Sequence, residues 1–156
     1  QYPFRPYIEL DKEFIYALNK DFLDRTTAKN KLHPHAIEIL EYLHKKYKLY
    51  ILSNGFEEVQ YRKMNNSGFM PFFEALILSD NTGVPKPNPR IFYEAFKVAQ
   101  ANPENSIMIG DNWEADIIGA KGVGMDHIWY DIDKSGISSF TPTYKITSLN
   151  QLTNIL

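Results

Sequence analysis

Two carboxylates, Asp111 and Asp116, follow directly on the apolar run Ser106-Ile-Met-Ile-Gly110, where a buried-type strand gives way to a helix. Hard oxygen ligands on a loop and a first helical turn suit Mg²⁺, which keeps positions for water and phosphate oxygens. Two carboxylates set close together repel, so Mg²⁺ or a lysine has to keep both ionised. Two further polar clusters close apolar runs in the same way: Ser53-Asn54-Gly55, and Lys86 between Pro85 and Pro87. A hydroxyl with backbone N–H groups at a helix start can accept a phosphate. The flanking prolines stiffen the chain around Lys86 and lower the entropic cost of aiming its ammonium inward. Each cluster has a plainer reading alone: a helix cap, a solvated lysine, acids complementing a helix dipole. Their shared position argues for function, because open α/β sheets keep their ligand crevice beyond the carboxyl ends of the strands. Before Ser53 no apolar run ends in an Asp-x-Asp pair, which such a site would need as nucleophile and proton donor.

From about residue 35 onward, short apolar runs alternate with helical spacing, the pattern of parallel strands linked by crossover helices. The expected class is α/β, a Rossmann-like parallel sheet flanked by helices. Ala36 to Lys46 is predicted helical with Ile37, Leu40, Leu43 and Tyr47 on one stripe, and Lys48 to Leu52 is predicted as a strand. Phe56 to Asn66 returns to helical spacing and is stopped by Gly68; Glu74 to Leu78 is the next strand, and Ser79 to Pro89 a loop. A helix after Pro89 carries Ile91, Phe92, Ala95, Phe96 and Ala99 on its apolar face and ends near Asn102-Pro103. Strand Ser106 to Ile109, a short helix Glu114 to Lys121, strand His127 to Tyr130, and a last short strand and helix within Ile146 to Leu156 complete the pattern. The front differs. Asp11 to Arg25 reads as one helix with Phe14, Leu18 and Phe22 at four-residue spacing, preceded by Pro3 and Pro6, and Thr26 to Lys31 reads as a linker.

At 156 residues and 44% hydrophobic content, the chain is long enough to bury a core without staples. Its net charge of -2 offers no basic stripe for a polyphosphate backbone, so a small ligand is expected rather than nucleic acid. The apolar runs are strand-sized, far short of the roughly 20 residues of a membrane helix. The absence of Cys is compatible with the cytoplasm, the expected compartment. His33-Pro34-His35 reads as the turn leading into a helix rather than a metal pair, Trp113 is expected at the crevice rim, and Asp131 and Asp133, which follow the strand His127 to Tyr130, either line the site or, on the plainer reading, sit in a solvated loop.

Leu49-Tyr-Ile-Leu-Ser53-Asn-Gly-Phe56, Gly83-Val-Pro-Lys86-Pro-Asn-Pro-Arg-Ile-Phe92 and Gly110-Asp111-Asn-Trp-Glu-Ala-Asp116 together resemble the second, third and fourth motifs of haloacid dehalogenase (HAD) superfamily phosphohydrolases, with the closest look to the pyrimidine-nucleotidase-like branch. The resemblance runs from about Leu32 to the C-terminus. It implies a Mg²⁺-dependent phosphatase acting through an aspartyl-phosphate on a small phosphorylated metabolite such as a nucleoside monophosphate. Ser53, Asn54 and Gly55 would bind the phosphoryl group, Lys86 would steady phosphate and nucleophile, Asp111 would ligate Mg²⁺, and Asp116 would act on the metal's water shell or on Lys86. Residues 1–27 would be the tail of a helical cap, and 28–156 a hydrolase core without its first strand. Asp11, Asp21 and Asp24, the aspartates before Ser53, do not match the nucleophile motif. A further N-terminal segment carrying that motif is therefore expected, and the chain alone is expected to be inactive. A 2-haloacid dehalogenase-like hydrolase, which needs no metal, and a non-catalytic phosphate- or partner-binding module are the alternatives.

Overall fold

Among the described residues five short strands, parallel in each hydrogen-bonded pair, form two sheets. The computed structural model describes residues 11–27, 31–136 and 139–156, so Pro3, Pro6 and residues 28–30 of the predicted linker lie outside the described residues. Strand β1 (Tyr50–Ser53) pairs with β2 (Ala75–Leu78), with Ser53 opposite Leu78. Strand β3 (Ile107–Gly110) pairs with β4 (Asp126–Tyr130), and β4 with β5 (Tyr144–Ile146). Among the described residues β1 and β3 are not hydrogen-bonded to each other. Instead both line one cavity of about 1000 Å³, whose wall includes Tyr50 to Ser53 on one side and Ile107 to Gly110 on the other.

Helices hold the two sheets in register from both faces. Helix α1 spans Lys12–Thr27, α2 Ala36–His44, α3 Glu57–Ser67, α4 Ser79–Thr82, α5 Pro89–Ala99 and α6 Gly119–Gly122. The start of α5 is set by Pro89 at its first turn and by the Asn88 side chain, which accepts a hydrogen bond from the Arg90 N–H; its end is set by Gln100 in the left-handed region. Its apolar face buries Ile91 and Phe92 in one cluster with Ile77 of β2 and Met108 of β3, so a single helix spans both sheets. Truncating Phe92 to Ala would cost about 3–5 kcal/mol through lost burial and the cavity left behind. On the opposite face α2 buries Ile39 and Leu43 against Ile128, Ile146 and Leu152, and Leu49, just before β1, packs on the same cluster.

Several details depart from the sequence pattern. On α2 the buried row is Ile39 and Leu43; Ile37 is exposed, and Tyr47 lies beyond the helix end, off the expected stripe. The predicted loop after β2 opens with the single turn α4. The expected helix Glu114 to Lys121 begins as a wide π turn, Trp113–Ile118, before narrowing into α6. β5 starts at Tyr144, and the closing helix is a 3-10 turn, Leu149–Asn154, with Ser148 and Gln151 in reciprocal capping bonds. Phe14, Leu18 and Phe22 of α1 remain exposed, and the helix docks on α3 through Arg62–Asp24 at 3.2 Å and an Asn66 amide bond to the Thr27 carbonyl. Among the described residues no helix is long and apolar enough to cross a membrane.

Candidate active site

Ser53 ends β1, and the chain turns at once: the Gly55 N–H donates to Ser53 Oγ at 3.1 Å, leaving the hydroxyl proton free to be given elsewhere. The Gln60 side-chain amide packs over Gly55, in the space a β-carbon would take. The start of α3 is less of an anion cradle than its sequence implies. Its Glu57 N–H already donates to the Asp80 carboxylate of α4 at 3.0 Å.

Across the top of the cavity lies Lys86. Its ammonium donates to the Leu52 carbonyl of β1 at 2.6 Å and to Asp116 Oδ1, beyond β3, at 2.6 Å, so one side chain ties the ends of the two sheets together. Both partners of the pair are buried, with 9% and 7% of their side chains exposed. A lysine ammonium has three N–H donors; the third has no partner among the described residues, and Lys86 lines the cavity. The backbone of Lys86 is fixed as well: Asn54 Nδ2 donates to the Lys86 carbonyl at 2.9 Å and the Lys86 N–H donates to Asn54 Oδ1 at 2.7 Å.

The two aspartates expected to share a cation have different surroundings. Asp116 is buried: beyond its bond to Lys86, its Oδ2 accepts from the Asn112 N–H at 3.1 Å, and a β-carbon at Gly110 would collide with it. Asn112 in turn caps the π turn by accepting the Ala115 N–H at 2.8 Å. Asp111 is exposed, and its carboxylate has no hydrogen-bond partner among the described residues. Its backbone carbonyl accepts from Trp129 Nε1 at 3.3 Å. Ser53, Lys86, Asp111 and Asp116 all line the one cavity, so the three clusters separated in sequence do converge. Asp111 is the carboxylate open to a hard cation, and Asp116 is committed to Lys86. No cluster of three or more His, Asp or Glu side chains suited to a metal occurs among the described residues, so this chain would offer Mg²⁺ one carboxylate, a number that ion accepts when phosphate and water complete its octahedron.

Asp131 corrects the expectation of a solvated loop. It is buried at 3% exposure and accepts from Ser135 N and Oγ, Gly136 N and the Lys145 ammonium, all at 2.8–3.0 Å. Burial pushes its carboxyl up, but the bonds from Lys145, Gly136 and Ser135 outweigh this and hold it well below the usual carboxylate range. Asp133 is exposed, as expected. Trp113 sits at the rim, its ring against Trp129 at 4.8 Å and Phe140 at 4.7 Å, beside a second hollow of about 260 Å³ shared by Asp111, Trp129 and Asp131. His33 and His35 form the turn before α2, where His35 pairs with Glu38 at 2.9 Å. The roles of Asn112, Trp129 and Asp131 went unread in the sequence. Only Asn112, a capping residue type just ahead of a helix, carried a local signal.

A sequence profile for haloacid dehalogenase-like hydrolases matches residues 6–124. The HAD-hydrolase YfnB of Bacillus subtilis is 35% identical over 152 residues, covering 93% of this chain and 65% of that one. The pyrimidine 5'-nucleotidase YjjG of Escherichia coli is 30% identical over 142 residues, covering 89% and 63%. The chain thus spans somewhat under two thirds of the length of these relatives. The crystal structure of YfnB bound to magnesium superposes with a TM-score of 0.84 at 31% identity, over 90% of this chain and 62% of that one. A HAD phosphatase from Thermococcus onnurineus superposes with a TM-score of 0.80 at 29% identity, over 93% and 70%.

Proposed function

Because this chain belongs to the haloacid dehalogenase-like hydrolases, we propose that the whole protein is a Mg²⁺-dependent phosphatase of small phosphorylated metabolites, nucleoside monophosphates first among them. The observation that carries this reading is the Lys86 ammonium, buried and held by Leu52 and Asp116 with one donor left toward a cavity that Ser53 and Asp111 also line. A dianionic phosphoryl group entering there meets the third Lys86 N–H and the Ser53 proton, both pre-oriented, so little reorganisation is needed as charge develops on its oxygens. Asp111 would hold Mg²⁺, and the bound ion supplies further neutralisation of those oxygens. Asp116 keeps Lys86 in place and charged.

The nucleophile belongs to a further N-terminal segment of the same protein. An aspartate at the end of a strand lying between β1 and β3 would face Lys86, attack phosphorus, expel the alcohol and form an aspartyl-phosphate that water then cleaves. What supports this placement is that Lys86 reaches both the end of β1 and the turn after β3 across one cavity that the two strands line, each with one bonded neighbour among the described residues. In this reading α1 is the tail of a helical cap, residues 28–156 are the hydrolase core, and the 156-residue chain alone turns over no substrate.

The test is inorganic phosphate release from nucleoside monophosphates by the full-length protein. Activity that requires Mg²⁺ and is abolished by Asp111→Ala is the expected outcome. Turnover that survives both chelation and this substitution would overturn it.

A further inference from the structure

We propose that Asn54 is a positioning residue for Lys86 and not itself a ligand of phosphate. The inference rests on the phosphate reading of the site and narrows what one of its residues does. Both ends of the Asn54 amide are engaged by one residue: Nδ2 donates to the Lys86 carbonyl at 2.9 Å, and Oδ1 accepts the Lys86 N–H at 2.7 Å. This is the two-bond pattern by which a strand residue meets a backbone neighbour, here built from a side chain. It joins the turn after β1 to the proline-flanked loop before α5, two segments that share no strand ladder. Lys86 also reaches back to β1 through the Leu52 carbonyl, so the loop is fixed at its backbone and at its ammonium by consecutive parts of the same segment. With its oxygen and one of its two Nδ2 N–H groups committed to the Lys86 backbone, the Asn54 amide is held as a brace, and the Ser53 hydroxyl, whose oxygen accepts the Gly55 N–H, keeps its proton for an incoming anion. Asn54 is exposed, so its removal should disturb the loop and not the core.

A double-mutant cycle on inorganic phosphate binding to the Mg²⁺-loaded, full-length protein separates the two roles. Asn54→Ala alone is expected to raise the phosphate dissociation constant roughly fivefold to tenfold, the scale of about one net hydrogen bond. In a Lys86→Ala background the same change is expected to raise it less than about twofold, because the group it positions is gone. Hydrogen exchange at the Lys86 amide should accelerate in Asn54→Ala, a readout independent of phosphate. Equal losses in both backgrounds, or unaltered Lys86 exchange, would overturn the positioning role. If the unaltered protein takes up no phosphate, the phosphate reading itself fails, and this role of Asn54 fails with it.

Discussion

Lys86–Asp116 and Lys145–Asp131 are both lysine–aspartate pairs, at 2.6 and 2.8 Å, and both lie beyond the ends of neighbouring strands, β3 and β4, yet they are built for opposite purposes. In the second pair the carboxylate is saturated. Asp131 takes four hydrogen bonds, three of them from its own loop, while Lys145 is partly exposed on β5 and lies over the Trp129 ring at 4.7 Å. Such a carboxylate ties a loop down and has nothing left to offer. In the first pair the ammonium is the unsaturated partner: buried in the cavity wall, fixed by a carbonyl and a carboxylate, and holding one donor in reserve. A buried ammonium held but not saturated can still receive an anion, whereas a buried carboxylate saturated by donors can only hold its surroundings in place.

The largest expected effect breaks the comparison most directly. Lys86→Ala in the full-length protein should lower phosphate turnover by roughly a hundredfold to a thousandfold, as losing one preorganised donor to developing charge does. It should also destabilise the fold by about 3–5 kcal/mol, because Asp116 would remain buried without its counter-charge. Lys145→Ala should leave turnover within about threefold, since neither Lys145 nor Asp131 lines the cavity that Lys86, Ser53 and Asp111 share. Comparable losses of turnover in the two variants would mean that the pairs do not differ as their saturation says.

A smaller and pH-dependent effect marks the structural pair. The folded-state pKa of Asp131 lies below its unfolded value, so the pair's stabilisation is present above the ordinary Asp pKa of about 4 and is lost as pH falls below it toward the folded value. Asp131→Asn should therefore lower Tm at pH 7, and the gap to the unaltered protein should close as melts are taken from pH 5 down toward pH 2. A gap of constant size across that range would show that the loop is held by shape and not by charge.

Why was one pair legible in the sequence and the other not? Asp116 stands in a short motif that follows a strand and Lys86 in one stiffened by two prolines, and the chemistry of a phosphate site demands a cation and carboxylates together. Asp131 also follows a strand, but its partners come from a reversal of its own loop at Ser135 and Gly136 and from Lys145 on a strand that begins thirteen residues later at Tyr144. No periodicity encodes that closure. The strands and the α5 face were legible because apolar run length and helical spacing report burial directly: Ile91 and Phe92 are buried as their positions require. The α2 stripe was misread because Ile37 and Ile39 are both isoleucines near the helix start, and only the packing against Ile128 and Ile146 decides which one turns inward. Asp111 and Asp116 were read as a pair because spacing gives proximity; which of them is free depends on Lys86, which reaches Asp116 from thirty residues away in the sequence.

Trp129 links the structural pair to Asp111, the neighbour of the cavity pair, and supplies the finest test of how separate the two regions are. Its ring lies beneath the Lys145 ammonium, and its indole N–H donates to the Asp111 carbonyl at 3.3 Å, so the structural anchor and the candidate metal ligand share one side chain. Trp129→Phe keeps an aromatic ring under Lys145 and against Trp113 but removes the donor. At 3.3 Å the bond is long, and its loss should be worth about 0.5–1 kcal/mol, which is roughly a twofold to fivefold weakening of Mg²⁺ affinity through a less well fixed Asp111. The substrate KM and the shape of the acid melt should stay as they are, because neither Lys86 nor Asp131 loses a partner. Mg²⁺ affinity unchanged in Trp129→Phe, measured by titration of the full-length protein, would show that the Asp111 loop is set by the Gly110–Asn112 turn alone and that the two lysine–aspartate pairs act independently.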